Sequence, residues 1–247
     1  MSSICEFELM YQTSEYLNKL KEAFDFASGG LTSVDIEGFE RFLKLIGLRI
    51  LSDEIPTFVN SKKLSYREIE SLFHPAYPLR QIFKKHLTEK SIFLKDQDFI
   101  KNSSLLARLI DLSHYATDKG VKLIVDAEQS WLQPSISFFT LHLMTKFNKS
   151  YPSITTTYQC YLKNSRQSLE SDMEFASDSG VFFPIKIVRG AYITQELEFS
   201  NTQNRNYPIY SKYMDTSTNF DNCVKDVLDK IRGNKVSVMA ASHNQVS

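Results

Sequence analysis

The chain has 247 residues, 42% of them hydrophobic and 23% charged, and its 29 basic side chains balance its 29 acidic ones. This is enough chain to bury the core of one large domain or two small ones. Balanced charge without long runs of one sign argues against recruitment of nucleic acid or of a membrane surface by bulk charge. Cys5, Cys160 and Cys223 are widely spaced and form no CxxC pair, which indicates free thiols in a reducing compartment.

The N-terminal residues MSSICEFELMYQ include acidic side chains and no basic segment. They resemble neither a signal peptide nor a transit peptide. No segment reaches the ~18 to 20 apolar residues of a membrane span. The sequence therefore predicts no targeting or membrane-spanning segment within these residues.

Residues 1–120 are predicted to be rich in helix and poor in strand. A first helical face is formed by Leu9, Tyr16, Leu20 and Phe24, and Gly29 with Gly30 is typical of its C-terminus. Thr32 and Asp35 stand at capping spacing before the next helix, and Ser65 and Glu68 repeat that spacing. These two helix, loop, helix units, within about residues 15–75, resemble an EF-hand pair.

The loops of this pair lack the oxygen ligands of a calcium site. With Leu31 at the central hydrophobic position, the ligand positions of the first loop hold Phe24, Phe26 and Ser28, with Asp35 in place of the bidentate Glu. The corresponding positions of the second loop hold Thr57, Val59 and Ser61, with Lys62 in place of the invariant Gly. We expect no calcium binding and a helical pair that only packs.

The pattern changes near residue 120, so the predicted domains are residues 1–120 and 121–247. A helix from Ser104 is expected to bury Leu105, Leu109, Leu112 and Ala116. Beyond it, four short apolar runs alternate with helices: VKLIVDAE, SITTTYQCYL, FPIKIVRGAY and VSVMAASHN. A polar loop is expected after the third run. This repeat predicts an α/β class with parallel strands.

Polar side chains stand at the ends of these runs, and in parallel α/β folds the carboxyl ends of the strands carry the site. They are Asp126, Glu128, Gln159, Arg189, Tyr192, His243 and Asn244, with Lys186 inside its strand. Taken singly, Asp126 or Glu128 can equally cap the next helix, and Lys186 or Arg189 can be a solvated strand-end charge. No GxGxxG, P-loop, GxSxG or HExxH motif occurs.

The strings VDAEQSWLQP, TYQCYLK, IKIVRGAY and ASHN, in this order and spacing, resemble the animal-type proline dehydrogenase family. The resemblance implies a distorted (β/α)8 barrel of the TIM type, here partial with about four of eight strands. It also implies an FAD enzyme that oxidises L-proline to Δ1-pyrroline-5-carboxylate by hydride transfer to flavin N5 and passes electrons to a quinone. Mitochondrial location, and any membrane association, follow from the family alone.

The same resemblance assigns roles to individual residues. Asp126 corresponds to a strand-end acid that orders the active site, Lys186 to a basic side chain near N5, and Tyr192 to a wall of the proline pocket. Cofactor contacts are implied for Ala127, Gln159, Arg189, Gly190, Ala191, Ser242 and His243. Gly190 is expected to allow close approach of the backbone to the cofactor.

Two family features have no counterpart here. These are the first barrel strand with its lysine, expected upstream of Met1, and the paired arginines that clamp the substrate carboxylate. A (β/α)8 barrel takes ~250 residues, more than lie beyond residue 120. We therefore expect a fragment or short form of a proline dehydrogenase that alone binds FAD poorly and does not turn over proline. The alternatives are a 4-hydroxyproline dehydrogenase and a non-catalytic binding or regulatory protein.

Overall fold

The computed structural model describes residues 2–48, 63–77, 88, 91–231 and 235–242. The chain divides into two compact units, Met1–Arg108 and Leu109–Ser247. The division falls within a long helix, Asp96–Asp118, whereas the boundary inferred from composition lies just after that helix.

The first unit consists of helices and one pair of short strands. Its elements are α1 (Ser2–Ser28), β1 (Ser33–Val34), α2 (Ile36–Leu45), β2 (Leu64–Ser65), α3 (Tyr66–Leu72) and the beginning of α4 (Asp96–Asp118). Side chains cap both short helices: Asp35 accepts from the Gly38 amide at 2.9 Å, and Ser65 and Glu68 form a capping box. Asp35, and not Thr32, is thus the cap of α2.

The strands β1 and β2 pair antiparallel, with Val34 opposite Leu64. Both side chains are buried, whereas Leu31 is 67% exposed. The predicted register of the first loop is therefore wrong, because Val34 occupies the central hydrophobic position that was given to Leu31. The second-loop residues Thr57, Val59, Ser61 and Lys62 lie outside the described residues. The likeness to an EF-hand pair stays a prediction.

Helix α4 buries part of the predicted face, with Ala116 buried and Leu109 packed against the core, but the rest of that face is shifted. Leu112 is 53% exposed, and the buried positions include Leu106, Ser113 and Ala116. Asn102 is also buried, and its side chain exchanges hydrogen bonds of 3.0 and 3.1 Å with Thr13 of α1. Polar side chains with hydrogen-bond partners thus occupy buried positions of this helix, where a hydrophobic pattern predicts leucine.

The second unit is a parallel sheet with helices between its strands. Its elements are the rest of α4, β3 (Leu123–Ile124), α5 (Gln133–Phe147), β4 (Ile154–Gln159), α6 (Ser165–Asp178), β5 (Phe183–Val188), α7 (Ile193–Thr202), α8 (Tyr213–Ile231) and β6 (Val236–Ala241). The strand order is β3-β4-β5-β6, and every pairing is parallel. The predicted α/β class with parallel strands is confirmed.

Helix α7 lies where a polar loop was expected. Its buried residues are Glu196 and Ser200, so its buried face carries no apolar periodicity that a sequence pattern could reveal. The core of the unit instead comes from β4 and β5 with α5, α6 and α8. It includes Ile154, Leu169, Ile185, Ile187 and Val227. The whole of β4 is buried, as expected for a strand covered on both faces.

Asn148, directly after α5, joins two strands at their amino-terminal ends. Its Nδ2 donates to the carbonyls of Ile154 and Phe182 at 2.7 and 3.0 Å. Its Oδ1 accepts from the amides of Ser153 and Ile154 at 3.0 and 2.8 Å. The side chain is fully buried, so these four bonds fix where β4 and β5 begin.

Candidate active site at the carboxyl ends of the strands

An ion pair spans the carboxyl ends of the sheet. Lys186 on β5 places its Nζ 2.6 Å from Oδ1 of Asp126, which follows β3. The lysine side chain is 23% exposed and the aspartate 66% exposed. Since β4 lies between β3 and β5 in the sheet, the pair crosses β4 near Thr157, the residue that is paired with Lys186. Two residues that the sequence assigned to one site are therefore in contact.

Gln159, the last residue of β4, is buried between the two neighbouring strand ends. Its Nε2 donates to the Glu128 carbonyl at 2.7 Å, and its Oε1 accepts from the Ala191 amide at 3.2 Å. The amide also donates to the Tyr161 phenol, so both donor hydrogens are used, and Oε1 retains one acceptor lone pair. Gln159 thus ties the loops after β3 and β5 together and can still contact a ligand.

Arg189 follows β5 and packs its guanidinium 4.3 Å from the ring centroid of Phe220. Its Nη1 donates to Oγ of Ser242, so two residues assigned to the cofactor contact one another. The Nε and Nη2 atoms are buried and have no hydrogen-bond partner within the described part of the chain. Buried donors of this kind suit an anionic ligand. His243 lies outside the described residues.

Tyr192 precedes α7 and shares its phenol with Glu128. The hydrogen bond to Glu128, then burial and the nearby negative charge, raise the pKa of Tyr192 to about 12. The phenol donates its one hydrogen to the Glu128 carboxylate, so toward a ligand its oxygen can only accept. Glu128 was noted in the sequence only as a strand-end acid, and its partnership with Tyr192 is a structural finding.

Gly190 adopts a φ of +133°, and its open side faces the ring of Tyr161. A Cβ added there would lie 2.2 Å from Cδ1 of that ring. The position thus needs glycine for its packing against Tyr161, in addition to the cofactor approach predicted from the sequence. Ala127, also assigned to the cofactor, is largely buried in the loop after β3.

A buried carboxylate, Glu196, stands beside these residues and was missed at the sequence level. It accepts hydrogen bonds from Ser130 and from the phenol of Tyr161. Burial and the charge of Glu196 raise the pKa of Tyr161 well above its ordinary value. The sequence offered one signal for Glu196: it lies four residues after Tyr192. In a helix that begins at Tyr192, a residue four positions later lies on the same face, toward the strand ends.

Cys160 and Cys223 are free thiols, as expected from their spacing in the sequence, and both are buried, whereas the side chain of Cys5 lies outside the described part of the chain. A hydrogen bond to Cys223, together with burial, raises the pKa of Cys160. Among the described residues, no group of three or more His, Cys, Asp or Glu side chains is placed to hold a metal ion. No helix in the same part of the chain is long and apolar enough to span a membrane.

The family model described as proline dehydrogenase matches residues 14–247. Proline dehydrogenase 1, mitochondrial, of Caenorhabditis elegans is 30% identical over an alignment 257 residues long, gaps included. The alignment covers 96% of this chain and 41% of that protein. The human protein of the same name is 39% identical over 151 residues, or 61% of this chain and 25% of its own length. Hydroxyproline dehydrogenase of Xenopus laevis is 34% identical over 154 residues, covering 62% of this chain and 33% of that protein.

Among solved structures, proline utilization A (PutA) from Bdellovibrio bacteriovorus, inactivated by N-propargylglycine, superposes with a TM-score of 0.55 at 27% identity. The match covers 58% of this chain and 15% of that one. The chain therefore spans less than half the length of each of these proteins.

The second unit carries a lysine, an arginine, an amide and two acids at the carboxyl ends of its parallel strands. This arrangement is typical of α/β enzymes. The chain belongs to the proline dehydrogenase family of oxidoreductases.

Proposed function

We propose that the second unit supplies the flavin side of a proline dehydrogenase active site within a partial (β/α)8 barrel. The substrate is L-proline, the product Δ1-pyrroline-5-carboxylate, the cofactor FAD and the electron acceptor a quinone. The observation that carries the proposal is the contact between Lys186 and Asp126 across the strand ends, in a chain of this family. Mitochondrial location is proposed because the worm and human relatives are named mitochondrial.

The strand-end residues fit FAD by their chemistry. Arg189 has two buried guanidinium nitrogens without a partner among the described residues, and these suit the anionic part of a dinucleotide. Oε1 of Gln159 retains one acceptor lone pair for a donor on the polar edge of a flavin ring. The chemistry that FAD supplies when bound is acceptance of a hydride from the substrate and release of the electrons to a quinone.

Within this site, each side chain has a definite task. Lys186 is a fixed cation that stabilises negative charge developing beside it, and Asp126 holds the ammonium in place. Tyr192 donates its phenol hydrogen to Glu128, and this bond holds its ring as a wall of the substrate pocket. Ser242 orients Arg189, and His243 is proposed to contact the cofactor beside it.

4-Hydroxyproline is the second candidate substrate, because hydroxyproline dehydrogenases are also among the similar proteins. Proline is favoured since the match to the worm proline dehydrogenase extends over 96% of the chain, against 62% for the Xenopus hydroxyproline enzyme. For the first unit, we propose a calcium-free EF-hand-like pair, supported by the antiparallel bridge between its two loops.

A chimera tests the function directly. Residues 109–247 replace the aligned segment of the C. elegans relative, and proline-dependent dye reduction is measured beside 4-hydroxyproline. We expect FAD binding and a preference for proline, and Lys186→Met is expected to lower the rate about 100-fold or more because it removes the charge-stabilising group. A folded, FAD-loaded chimera without activity on either substrate would contradict the proposal.

The 247-residue chain is assayed alongside the chimera. We expect it to bind FAD weakly and to show no proline-dependent dye reduction, because a closed barrel needs eight strands and the described part of this unit has four. Robust turnover by this chain would show that it needs no further segments.

A further inference from the structure

Glu196 is a fully buried carboxylate that receives three hydrogen bonds. The Ser130 amide donates to Oε1 at 2.6 Å, the Ser130 hydroxyl donates to Oε2 at 2.6 Å, and the Tyr161 phenol donates to Oε1 at 3.2 Å. We call Glu196, Ser130 and Tyr161 the Glu196 network. A buried charge is tolerated when it is satisfied in this way, and charge-assisted bonds of this kind are stronger than neutral ones.

The network joins three segments that each carry residues of the candidate site. Ser130 follows Glu128 by two residues, and Tyr161 follows Gln159 by two. Glu196 lies one helical turn after Tyr192, and its own amide donates to the Tyr192 carbonyl at 2.9 Å. A shift of any member therefore shifts a neighbouring residue of the site.

Tyr161 is itself held in place on two sides. Its amide donates to the Arg189 carbonyl at 2.6 Å, and its ring fills the space beside Gly190. The ring is almost completely buried. Breaking the phenol's bond to Glu196 therefore acts on the strand ends without removing the packing of the ring.

We propose that Glu196 is a positioning residue, whose carboxylate holds the loop after β3 against the end of β4 and so fixes the groups that face the flavin. The consequence for FAD rests on the function proposed above. The positioning of the loop does not rest on that function, and it can be observed without cofactor.

Trp131 is a built-in reporter of this loop. It is the one tryptophan of the chain, and it directly follows Ser130. Its ring stacks on Phe199, three residues after Glu196, with centroids 4.0 Å apart and planes inclined by 22°. Release of Ser130 from Glu196 is expected to loosen this stack and expose the indole to water.

The test compares wild type with Glu196→Ala, Glu196→Gln and Ser130→Ala, with no cofactor added. In Glu196→Ala, we expect Trp131 emission to shift to longer wavelength and acrylamide quenching to increase. Glu196→Gln keeps an oxygen for the Ser130 amide and should restore much of the wild-type signal. Should Glu196→Ala fail to fold, Ser130→Ala, which removes the hydroxyl bond to Oε2 of Glu196, decides the matter through the same two measurements.

Tyr158→Phe is the matched control. It also removes a buried tyrosine-to-carboxylate bond from β4, at 2.6 Å to Asp172, but Asp172 lies on α6 and not in a strand-end loop. We expect the control to leave Trp131 emission unchanged. Unchanged emission and quenching in folded Glu196→Ala, or an equal response in Tyr158→Phe, would overturn the proposal.

FAD titration forms the second part of the test. It uses the chimera described above, because the chain alone is expected to bind FAD weakly. Glu196→Ala in the chimera should bind FAD about tenfold or more weakly, the effect of losing a charged hydrogen bond, and Tyr158→Phe should not. Absence of FAD binding by the unmutated chimera counts against the proposed function alone, while the Trp131 signal still decides the role of Glu196.

Discussion

The two ends of the parallel sheet are each joined by a buried amide side chain. At the amino-terminal end, Asn148 makes four hydrogen bonds, all to backbone groups of the strands and their flanking residues. At the carboxyl end, Gln159 makes two hydrogen bonds to the loops after β3 and β5 and another to the Tyr161 phenol. Lys186, Asp126 and Arg189 gather at this second end. The amide at the amino-terminal end has all of its hydrogen-bonding capacity used, whereas the amide at the carboxyl end can still accept a hydrogen bond from a ligand.

This difference separates stability from function within one unit. Asn148 has no remaining hydrogen-bonding capacity, so its task is to fix the strands. Gln159 and Glu196 also fix backbone, but the loops that they hold carry the charged residues of the candidate site. The division agrees with the general rule that the carboxyl ends of parallel strands carry the chemistry and the opposite ends serve stability.

The largest effect is expected from Asn148→Ala. The change leaves several buried backbone groups without partners, and the free energy of unfolding should fall by about 3 kcal/mol or more. Urea unfolding followed by circular dichroism measures it. In the chimera described above, the FAD affinity of the folded fraction should stay at the wild-type value, whereas Gln159→Ala should lower it. Equal loss of affinity in both variants would contradict the separation of the two ends.

Much of this arrangement could be predicted from the sequence. The four apolar runs gave the strands, because a buried parallel strand is a short, continuous β-branched segment. Since parallel strands end at one edge, Asp126, Gln159, Lys186 and Arg189 were predicted to lie together. Asp126 and Lys186 are in contact and Gln159 bonds the loops beside them, whereas Arg189 contacts Ser242; the roles of these residues stay predictions.

The sequence pattern missed elements that bury polar side chains, and it misplaced one apolar position. Helix α7 was predicted as a loop because the residues it buries are Glu196 and Ser200, and periodicity detects apolar faces only. Leu112 was predicted to be buried, but it is exposed and the neighbouring Ser113 is buried instead. Leu31 was assigned the bridge position of Val34, since only the pairing with Leu64 distinguishes two similar apolar candidates.

Gly190→Ala is the next test, and it acts at the carboxyl end. The new Cβ would meet the Tyr161 ring at 2.2 Å, and a φ of +133° is unfavourable for alanine. Overpacking and backbone strain together should cost about 2 to 4 kcal/mol, measured by urea unfolding.

Gly180→Ala is the control for that substitution. Gly180 also has a positive φ, +67°, but nothing lies within 4 Å of an added Cβ. It should cost about 1 kcal/mol from backbone strain alone. Similar losses for the two variants would show that the Tyr161 ring moves aside freely, and that the carboxyl end is less rigid than the amino end.

The smallest effect concerns the titration of Tyr192, which reports the contact with Glu128 at the carboxyl end. Its pKa, about 12 in the folded chain, exceeds the ordinary value of about 10 for tyrosine. Because the folded state retains this proton more strongly, its contribution to stability is present below pH ~10 and is lost as the pH rises through the folded pKa.

The measurement is the difference in absorbance at 295 nm between wild type and Tyr192→Phe across the alkaline range. We expect the ionisation assigned to Tyr192 to be centred near pH 12, and to move down toward about 10 in Glu128→Gln, which removes the charge beside the phenol. Glu198→Gln removes the same charge from an exposed position on α7 and should leave the titration in place. An unchanged titration in Glu128→Gln would mean that the loop after β3 does not hold Glu128 against Tyr192. The carboxyl ends would then be joined by Gln159 and the Glu196 network without that contact.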